Sequence, residues 1–225
     1  MGENTVEQYV HNLTHELKTP ITGIRAASDV LDHPDIEPAE TRKFLSHIRN
    51  QTMRLNNIVD RLLELAGVER IRFLEKRSAI NLATLVDSQI EALVPQAKAR
   101  QISFEVDIAS DIVVEGDVFL LQQAVANLLD NAVSFSPENG KIEVSAKVEN
   151  RNIVLTVRDH GPGVPDYALS KICERFYSLP RPGGAKSTGL GLSLVQEIAR
   201  LHGGHVELFN PARGGAEARL IITKN

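Results

Sequence analysis

Five groups of residues in this 225-residue chain have types and spacings that can do chemistry. The first is THELKTPITG (14–23), which sets His15, Glu16 and Thr19 just ahead of Pro20 inside an otherwise helical pattern. Each helical residue turns 100°, so with Leu13 and Leu17 on the apolar seam, His15 points toward solvent as a nucleophile candidate. His11 lies four residues before it, a spacing that can bring two imidazoles to one metal, but Thr19 stands where H-E-x-x-H needs its second histidine. No cysteine cluster completes a metal site either, so a surface imidazole is the competing reading. Thr19, four residues on, shares the face of His15 and can orient a water or a partner group there. Pro20 removes the N–H that would bond the Glu16 carbonyl, at a cost of about 3 kcal/mol in a helix interior. That weak turn predicts a helix that bends beside His15.

The other four groups lie in the second half of the chain. NLLDN (127–131) places Asn127 and Asn131 one helical turn apart, where two carboxamides can offer oxygens to a hard cation such as Mg²⁺. Asp159 precedes HGPGVP, where Gly161 and Gly163 allow close backbone approach to a planar ligand and a carboxylate can accept from an adenine amino group. ERFYSLPRPGGAKST (174–188) has the composition of a lid, with Arg175, Arg181 and Lys186 as cations able to meet phosphates. TGLGLSLV (188–195) then opens a helix whose first N–H groups can hold phosphate. A Walker A reading of GGAKST fails, since the lysine follows Ala185 where G-x-x-x-x-G-K-[ST] needs glycine.

The elements that must position these groups change character along the chain. Val6, Val10, Leu13, Leu17, Ile21, Ile24 and Leu31 recur at three- and four-residue steps, which predicts a helix to about residue 31. DHPDIEP (32–38) is a turn, Pro38 suits a first helical residue, and a second apolar stripe runs from Phe44 through Leu65. A two-helix hairpin has too little core alone, so the pattern predicts a homodimeric four-helix bundle over residues 1–70. Residues 71–80 read as a linker. Residues 81–225 read as an α+β domain with helices at 82–100, 117–132 and 189–202 and strands at 102–108, 112–116, 141–148, 151–159, 205–209 and 218–223. ENGK and ENRN read as hairpin turns.

Bulk composition excludes several classes. A formal charge of −4 leaves no electrostatic footprint for nucleic acid, and the single cysteine, Cys173, cannot form an internal disulfide. No apolar run reaches the ~18 residues that span a bilayer. Val6 breaks the myristoylation pattern. Helical periodicity from the first residues is expected of a piece cut from a longer protein.

In this order and spacing, HELKTP, NLLDNA, DHGPG, ERFY and TGLGLSLV resemble the H, N, G1, F and G2 boxes of the sensor histidine kinases of two-component systems, over nearly the whole chain. PDYALSKICERFYSLPR and NLTHELKTPITGIRAA look like the CreC-type members. The resemblance implies a helical hairpin followed by an α/β sandwich of the Bergerat ATP-binding type. It implies His15 as phosphoacceptor, Glu16 as its base and Thr19 as positioner of the water that dephosphorylates the partner. Asn131 would hold Mg²⁺ and Asn127 line the phosphates. Asp159 would read adenine above Gly161 and Gly163. Arg175, Phe176, Tyr177, Lys186, Thr188, Gly189, Leu190, Gly191 and Leu192 would form the lid and phosphate border. ATP and Mg²⁺ are the implied cofactors, a response-regulator receiver domain is the implied partner, and a membrane-anchored sensor upstream would make this the cytoplasmic portion of a bacterial inner-membrane protein. Ser134 and Ser178 depart from the family's usual basic residues, which shifts the expected phosphate contacts onto Arg175, Arg181 and Lys186. The alternative is a non-catalytic ATP-binding dimer scaffold. The stimulus, the regulator's identity, the choice of cis or trans transfer and the kinase-to-phosphatase balance are not written in these residues.

Overall fold

The computed structural model describes residues 2–180 and 187–224, with side chains from Val10 onward. Two compact units emerge, residues 1–65 and residues 66–225. Arg181 and Lys186 lie outside the described residues, as does the side chain of Val6.

The first unit is built from α1 (Gly2–Leu31) and the greater part of α2 (Pro38–Glu69). The backbone stays helical through Pro20, whose ring is buried. Ala27, Ile58 and Leu65 are also buried, whereas Val10, Ile21, Leu45, Met53, Val59 and Leu63 stay exposed. The two apolar stripes are therefore wider than one hairpin can cover. At Gly23 the helices come close, for a Cβ there would lie 3.3 Å from both Gln51 Cγ and His47 Nε2.

The second unit carries β1 (Ser78–Asn81), α3 (Leu82–Ala99), β2 (Ser103–Asp107), β3 (Val113–Gly116), α4 (Val118–Phe135), β4 (Lys141–Glu149), β5 (Asn152–Arg158), the short α5 (Asp166–Leu169), α6 (Gly191–Leu201), β6 (His205–Phe209) and β7 (Glu217–Thr223). Five strands form one sheet in the order β2-β4-β5-β7-β6, antiparallel except for the parallel pair β2–β4. β1 and β3 make a separate two-stranded ribbon. Buried and half-exposed positions alternate along β4, as expected of a strand with one face on a core. Against that face pack α3, α4 and α6, whose Leu85, Val86, Leu121, Leu128, Leu129, Leu194 and Ile198 are buried. At about 1.5–3 kcal/mol for each fully buried aliphatic side chain, this layer dominates the stability of the unit.

Three local readings need correction. The last residues of the stretch read as a linker form β1, held by pairing with β3 rather than by any pattern of their own. ENGK is not a hairpin turn: it joins α4 to β4, with Asn139 at φ 58° and its N–H bonded to the Arg100 carbonyl. Only ENRN closes a hairpin, between β4 and β5. Finally, α4 runs one turn past Ala132 to Phe135. Its start is capped by Asp117, which accepts from the Leu120 N–H at 3.0 Å, worth about 1 kcal/mol.

His202, just past α6, holds that same helix start. Its Nε2 accepts from the Asp117 N–H at 3.1 Å while its Nδ1 faces the Ile198 carbonyl at 2.8 Å, an arrangement that needs the neutral ring protonated on Nδ1. A side chain at Gly116 would lie 2.6 Å from the imidazole. Burial, aided by Arg77, lowers the His202 pKa below its usual 6.5, against the opposing pull of the Ile198 carbonyl and Asp117. A depressed folded-state pKa means that the unfolded chain binds the extra proton first. Stability is then full above pH about 6.5 and falls as pH drops toward the folded-state value, by up to about 1.4 kcal/mol per pH unit. Chemical denaturation at pH 7.5 and 5.5 should show this loss, and His202→Gln should flatten it.

Candidate active site

In the first unit His15 is exposed, as its phase on the seam predicts. The Thr19 hydroxyl donates back to the His15 carbonyl at 3.1 Å, which keeps the threonine on the same face one turn along. Glu16 points across the hairpin, where its Oε2 accepts from Arg54 Nη2 at 3.0 Å. The contact expected between Glu16 and His15 is therefore not made here, because sequence neighbours on a helix diverge and a cation on α2 holds the carboxylate. Arg54 was not legible as a site residue, since it sits 38 residues from its partner.

In the second unit α4 presents both asparagines. Asn127 is buried and donates its Nδ2 to the Gln123 carbonyl at 2.8 Å, which fixes the outward aim of Oδ1. That oxygen meets the start of α6: a Cβ at Gly191 would lie 3.0 Å from Asn127 Oδ1 and 4.0 Å from Asn131 Nδ2. Only glycine lets the helix start lie so close to the two carboxamides. No side chain caps α6, so its first N–H groups are offered to whatever lies in front, beside the positive end of the helix dipole. These donors and carboxamide oxygens fit a phosphate chain with a hard cation.

Asp159 sits just beyond β5, 7 % exposed. Its Oδ1 accepts from the Gly161 N–H at 2.8 Å and the Ala216 N–H at 3.3 Å, and its own N–H donates to the Ala216 carbonyl at 3.0 Å. Oδ2 has no hydrogen-bond partner among the described residues. Burial raises the carboxyl pKa above the usual value and outweighs the Gly161 and Ala216 N–H donors together with the nearby charges of His160 and Arg158. An acceptor oxygen left without a protein donor on a largely buried carboxylate is a place for a ligand's N–H. The glycines here serve the protein's own backbone: a Cβ at Gly161 would lie 2.3 Å from the Phe135 carbonyl oxygen, and one at Gly163 would lie 2.9 Å from Asn210 Oδ1.

The lid's base is a clasp. Phe176, 8 % exposed and at φ 63°, donates its N–H to the Gly189 carbonyl at 2.9 Å. Gly189 itself has φ 67°. Arg175 pairs with Glu69. Tyr177, Thr188 and Leu192 are half-buried, whereas the Leu190 side chain is in the core at 1 % exposure, so only its backbone can border a ligand. Ser134, standing in the place of the family's usual base, is buried at the end of α4.

Two further residues hold the site without belonging to any motif. Arg100, the C-cap of α3, donates Nη1 to the carbonyls of Val133 and Ser134 and Nη2 to that of Ser136, so a guanidinium caps the last turn of α4. Asn210 donates to and accepts from the backbone of Val164. Neither pairing had a signal in the local sequence.

Comparison with known proteins agrees with this geometry. Residues 5–70 match the His Kinase A (phospho-acceptor) domain, and residues 116–225 match the histidine kinase-, DNA gyrase B- and HSP90-like ATPase domain. Sensor protein CreC of Escherichia coli K12 is 43 % identical over 224 residues, 100 % of this chain and 47 % of that protein. Sensor protein QseC of the same strain is 36 % identical over 95 % of this chain and 46 % of its own length. The chain thus spans about half the length of the curated relatives it matches. Among solved structures, histidine kinase ThkA in complex with the response regulator TrrA superposes with a TM-score of 0.80 at 26 % identity, covering 99 % of this chain and 63 % of that one. Acinetobacter baumannii AdeS gives 0.74 at 26 % identity, covering 94 % and 98 %. With a phospho-acceptor hairpin followed by an ATP-binding α/β sandwich, and CreC-like along its whole length, this chain belongs to the sensor histidine kinases of two-component systems.

Proposed function

We propose that this chain phosphorylates itself on His15 from ATP and passes the phosphoryl group to an aspartate of a response-regulator receiver domain. The observation that carries the reading is the seat of Gly191 against Asn127 and Asn131 at the uncapped start of α6, in the same unit as Asp159, whose Oδ2 has no hydrogen-bond partner among the described residues. Asp159 Oδ2 accepts from the adenine amino group. The α6 N–H groups and Asn127 orient the phosphates. Asn131 would hold Mg²⁺, which when bound would supply charge neutralisation to the transferring group. Glu16 takes the proton from one ring nitrogen of His15 while the other attacks the γ-phosphorus, the bond to the β–γ bridging oxygen breaks, and ADP leaves. Arg54 must release or share the Glu16 carboxylate for that step. Thr19, on the His15 face, positions the water for the reverse reaction on the regulator's aspartyl phosphate.

The exposed Val10, Ile21, Leu45, Met53, Val59 and Leu63 support a homodimer, since a second hairpin would cover apolar surface that one leaves in water. No described helix is long and apolar enough to cross a membrane. We assign membrane anchoring and sensing to the part of the full protein beyond this region, by analogy with sensor relatives about twice as long.

Incubation with γ-labelled ATP and Mg²⁺ tests the reading. The label should be acid-labile and base-stable, and it should vanish in His15→Gln. Label that persists in that variant would falsify the assignment of His15, and nucleotide binding without any label would leave only an ATP-binding scaffold.

A further inference from the structure

We infer that Asn210 is a positioning residue that sets nucleotide affinity and base specificity, by acting as a one-residue strand partner for the loop that carries Asp159. The inference rests on the nucleotide reading above and adds to it a residue that no motif contains.

The carboxamide of Asn210 makes two bonds to one residue. Its Oδ1 accepts from the Val164 N–H at 2.8 Å, and its Nδ2 donates to the Val164 carbonyl at 2.6 Å. This donor–acceptor pair is the exchange that a neighbouring strand residue makes in an antiparallel ladder. The bonds also fix the amide orientation, because only oxygen can receive the N–H and only nitrogen can serve the carbonyl. Asn210 stands directly after β6, and the turn from 210 to 216 leads into β7. The far end of the same turn grips the other end of the loop: the Asp159 N–H donates to the Ala216 carbonyl, the Ala216 N–H donates to Asp159 Oδ1, and a Cβ at Gly215 would fall 1.9 Å from the Asp159 carbonyl oxygen. One turn therefore clamps residues 159–164 at both ends, at Asp159 through Ala216 and at Val164 through Asn210.

This clamp also explains Gly163. At φ 76°, its missing side chain leaves room for Asn210 Oδ1, 2.9 Å from where a Cβ would lie, and for the Gly215 carbonyl oxygen at 3.1 Å. The glycine serves the clamp directly and the ligand only through it. With the loop pinned, the partnerless oxygen of Asp159 is held at one depth and angle, which is what distinguishes an amino group from a carbonyl on the base edge. Aspartate at 210 would lose the donor and set a carboxylate against the Val164 carbonyl. Alanine would lose both bonds.

The test uses the full chain as wild type, Asn210→Ala and the near-isosteric Asn210→Asp. Autophosphorylation kinetics with ATP and GTP and hydrogen exchange at the Val164 amide are measured on each. Asn210→Ala should raise the KM for ATP about tenfold, as expected for two lost hydrogen bonds of about 1 kcal/mol or less each, with kcat within about twofold. The ATP-to-GTP preference should fall by a similar factor, and protection of the Val164 amide should be lost. Asn210→Asp should be worse than alanine in all three readouts. An unchanged KM, a loss confined to kcat, or a lowered melting temperature with intact ATP preference would overturn the role of Asn210. A wild type that turns over ATP normally beside an unaffected Asn210 variant refutes this inference alone, whereas a wild type that ignores ATP refutes the nucleotide reading and this with it.

Discussion

Asp159→Asn should cost the protein about a hundredfold in ATP affinity while leaving the ligand-free fold at least as stable as the wild type. Two backbone N–H groups, from Gly161 and Ala216, already occupy Oδ1. An asparagine must keep its oxygen there to satisfy them, which places its NH₂ where Oδ2 stood. The amide then presents a donor to the adenine amino group, itself a donor. Leaving two buried donors unmatched costs roughly 2–3 kcal/mol, which is about 30- to 150-fold in affinity. The same swap should improve acceptance of guanine, whose carbonyl lies where adenine has its amino group.

Stability runs the other way. Burial raises the Asp159 pKa, so the ionised carboxylate is a cost to the folded state that grows as pH rises through the folded-state value. Asparagine carries no such charge and keeps the oxygen that the two N–H groups need. The melting temperature of Asp159→Asn should therefore equal or exceed that of the wild type at pH 7.5. Affinity for ATP should fall in the wild type as pH drops through the raised carboxyl pKa, because the proton would go to Oδ2 and turn the ligand-facing acceptor into a donor. Titration with a fluorescent ATP analogue from pH 7.5 to 5 checks both statements, and the variant should show a flat profile. Loss of melting temperature together with affinity would refute the argument, since it would mean that the carboxylate serves the fold rather than the ligand.

The parts of this site that were legible in the sequence are those whose chemistry is local. His15 and Thr19 share a face because four residues make about one helical turn, and spacing alone says so. Asn127 and Asn131 stack for the same reason. In the second half DHGPG falls just past the end of β5 and TGLGLSLV at the start of α6, as the periodicity on either side requires. Illegible were the contacts that join distant segments. Arg100 reaches 33 residues to Val133, Arg54 reaches 38 to Glu16, and Asn210 reaches 46 to Val164. Arg100 and Asn210 stand at the ends of elements, have no periodic signature and bond backbone groups that every residue possesses, while Arg54 looks like any exposed helix cation until α1 and α2 are brought together. β1 escaped for a related reason: four residues with a burial pattern of two exposed positions, one buried and one intermediate carry too little alternation to announce a strand, and only pairing with β3 makes one. The glycines were legible as glycines but not in their use. Close approach was expected toward a ligand, and at Gly161 and Gly163 it is made first by the chain itself.

Gly189→Ala should have the largest effect of any change in the lid, lowering autophosphorylation at least a hundredfold. Gly189 sits at φ 67°, where an alanine costs about 1–2 kcal/mol. Its Cβ would lie 2.5 Å from the Phe176 carbonyl carbon, 2.7 Å from its Cα and 2.8 Å from the Tyr177 nitrogen. All three are backbone atoms, so no rotamer change relieves the clash and the two segments must part. Phe176 is itself left-handed at φ 63°, a conformation that a bulky residue holds only when its surroundings compel it. What compels it is the burial of its ring and its N–H bond to the Gly189 carbonyl. Parting the strands of the clasp removes both together, with about 2 kcal/mol of aromatic burial at stake. The displacement also reaches α6 two residues later, where Gly191 must keep its close approach to Asn127 Oδ1, 3.0 Å from where a Cβ would lie, for phosphates to meet both. ATP KM should rise and kcat should fall, while the melting temperature drops by only a few degrees because the clasp lies outside the main layer of buried helices and strands. Gly67→Ala supplies the contrast: a Cβ there meets nothing within 4 Å, and alanine in a helix should stabilise by about 0.5–1 kcal/mol. Comparable losses of melting temperature in the two variants would show that glycine loss is felt generally by the fold. A loss of turnover confined to Gly189→Ala locates the effect in the clasp between Phe176 and the start of α6.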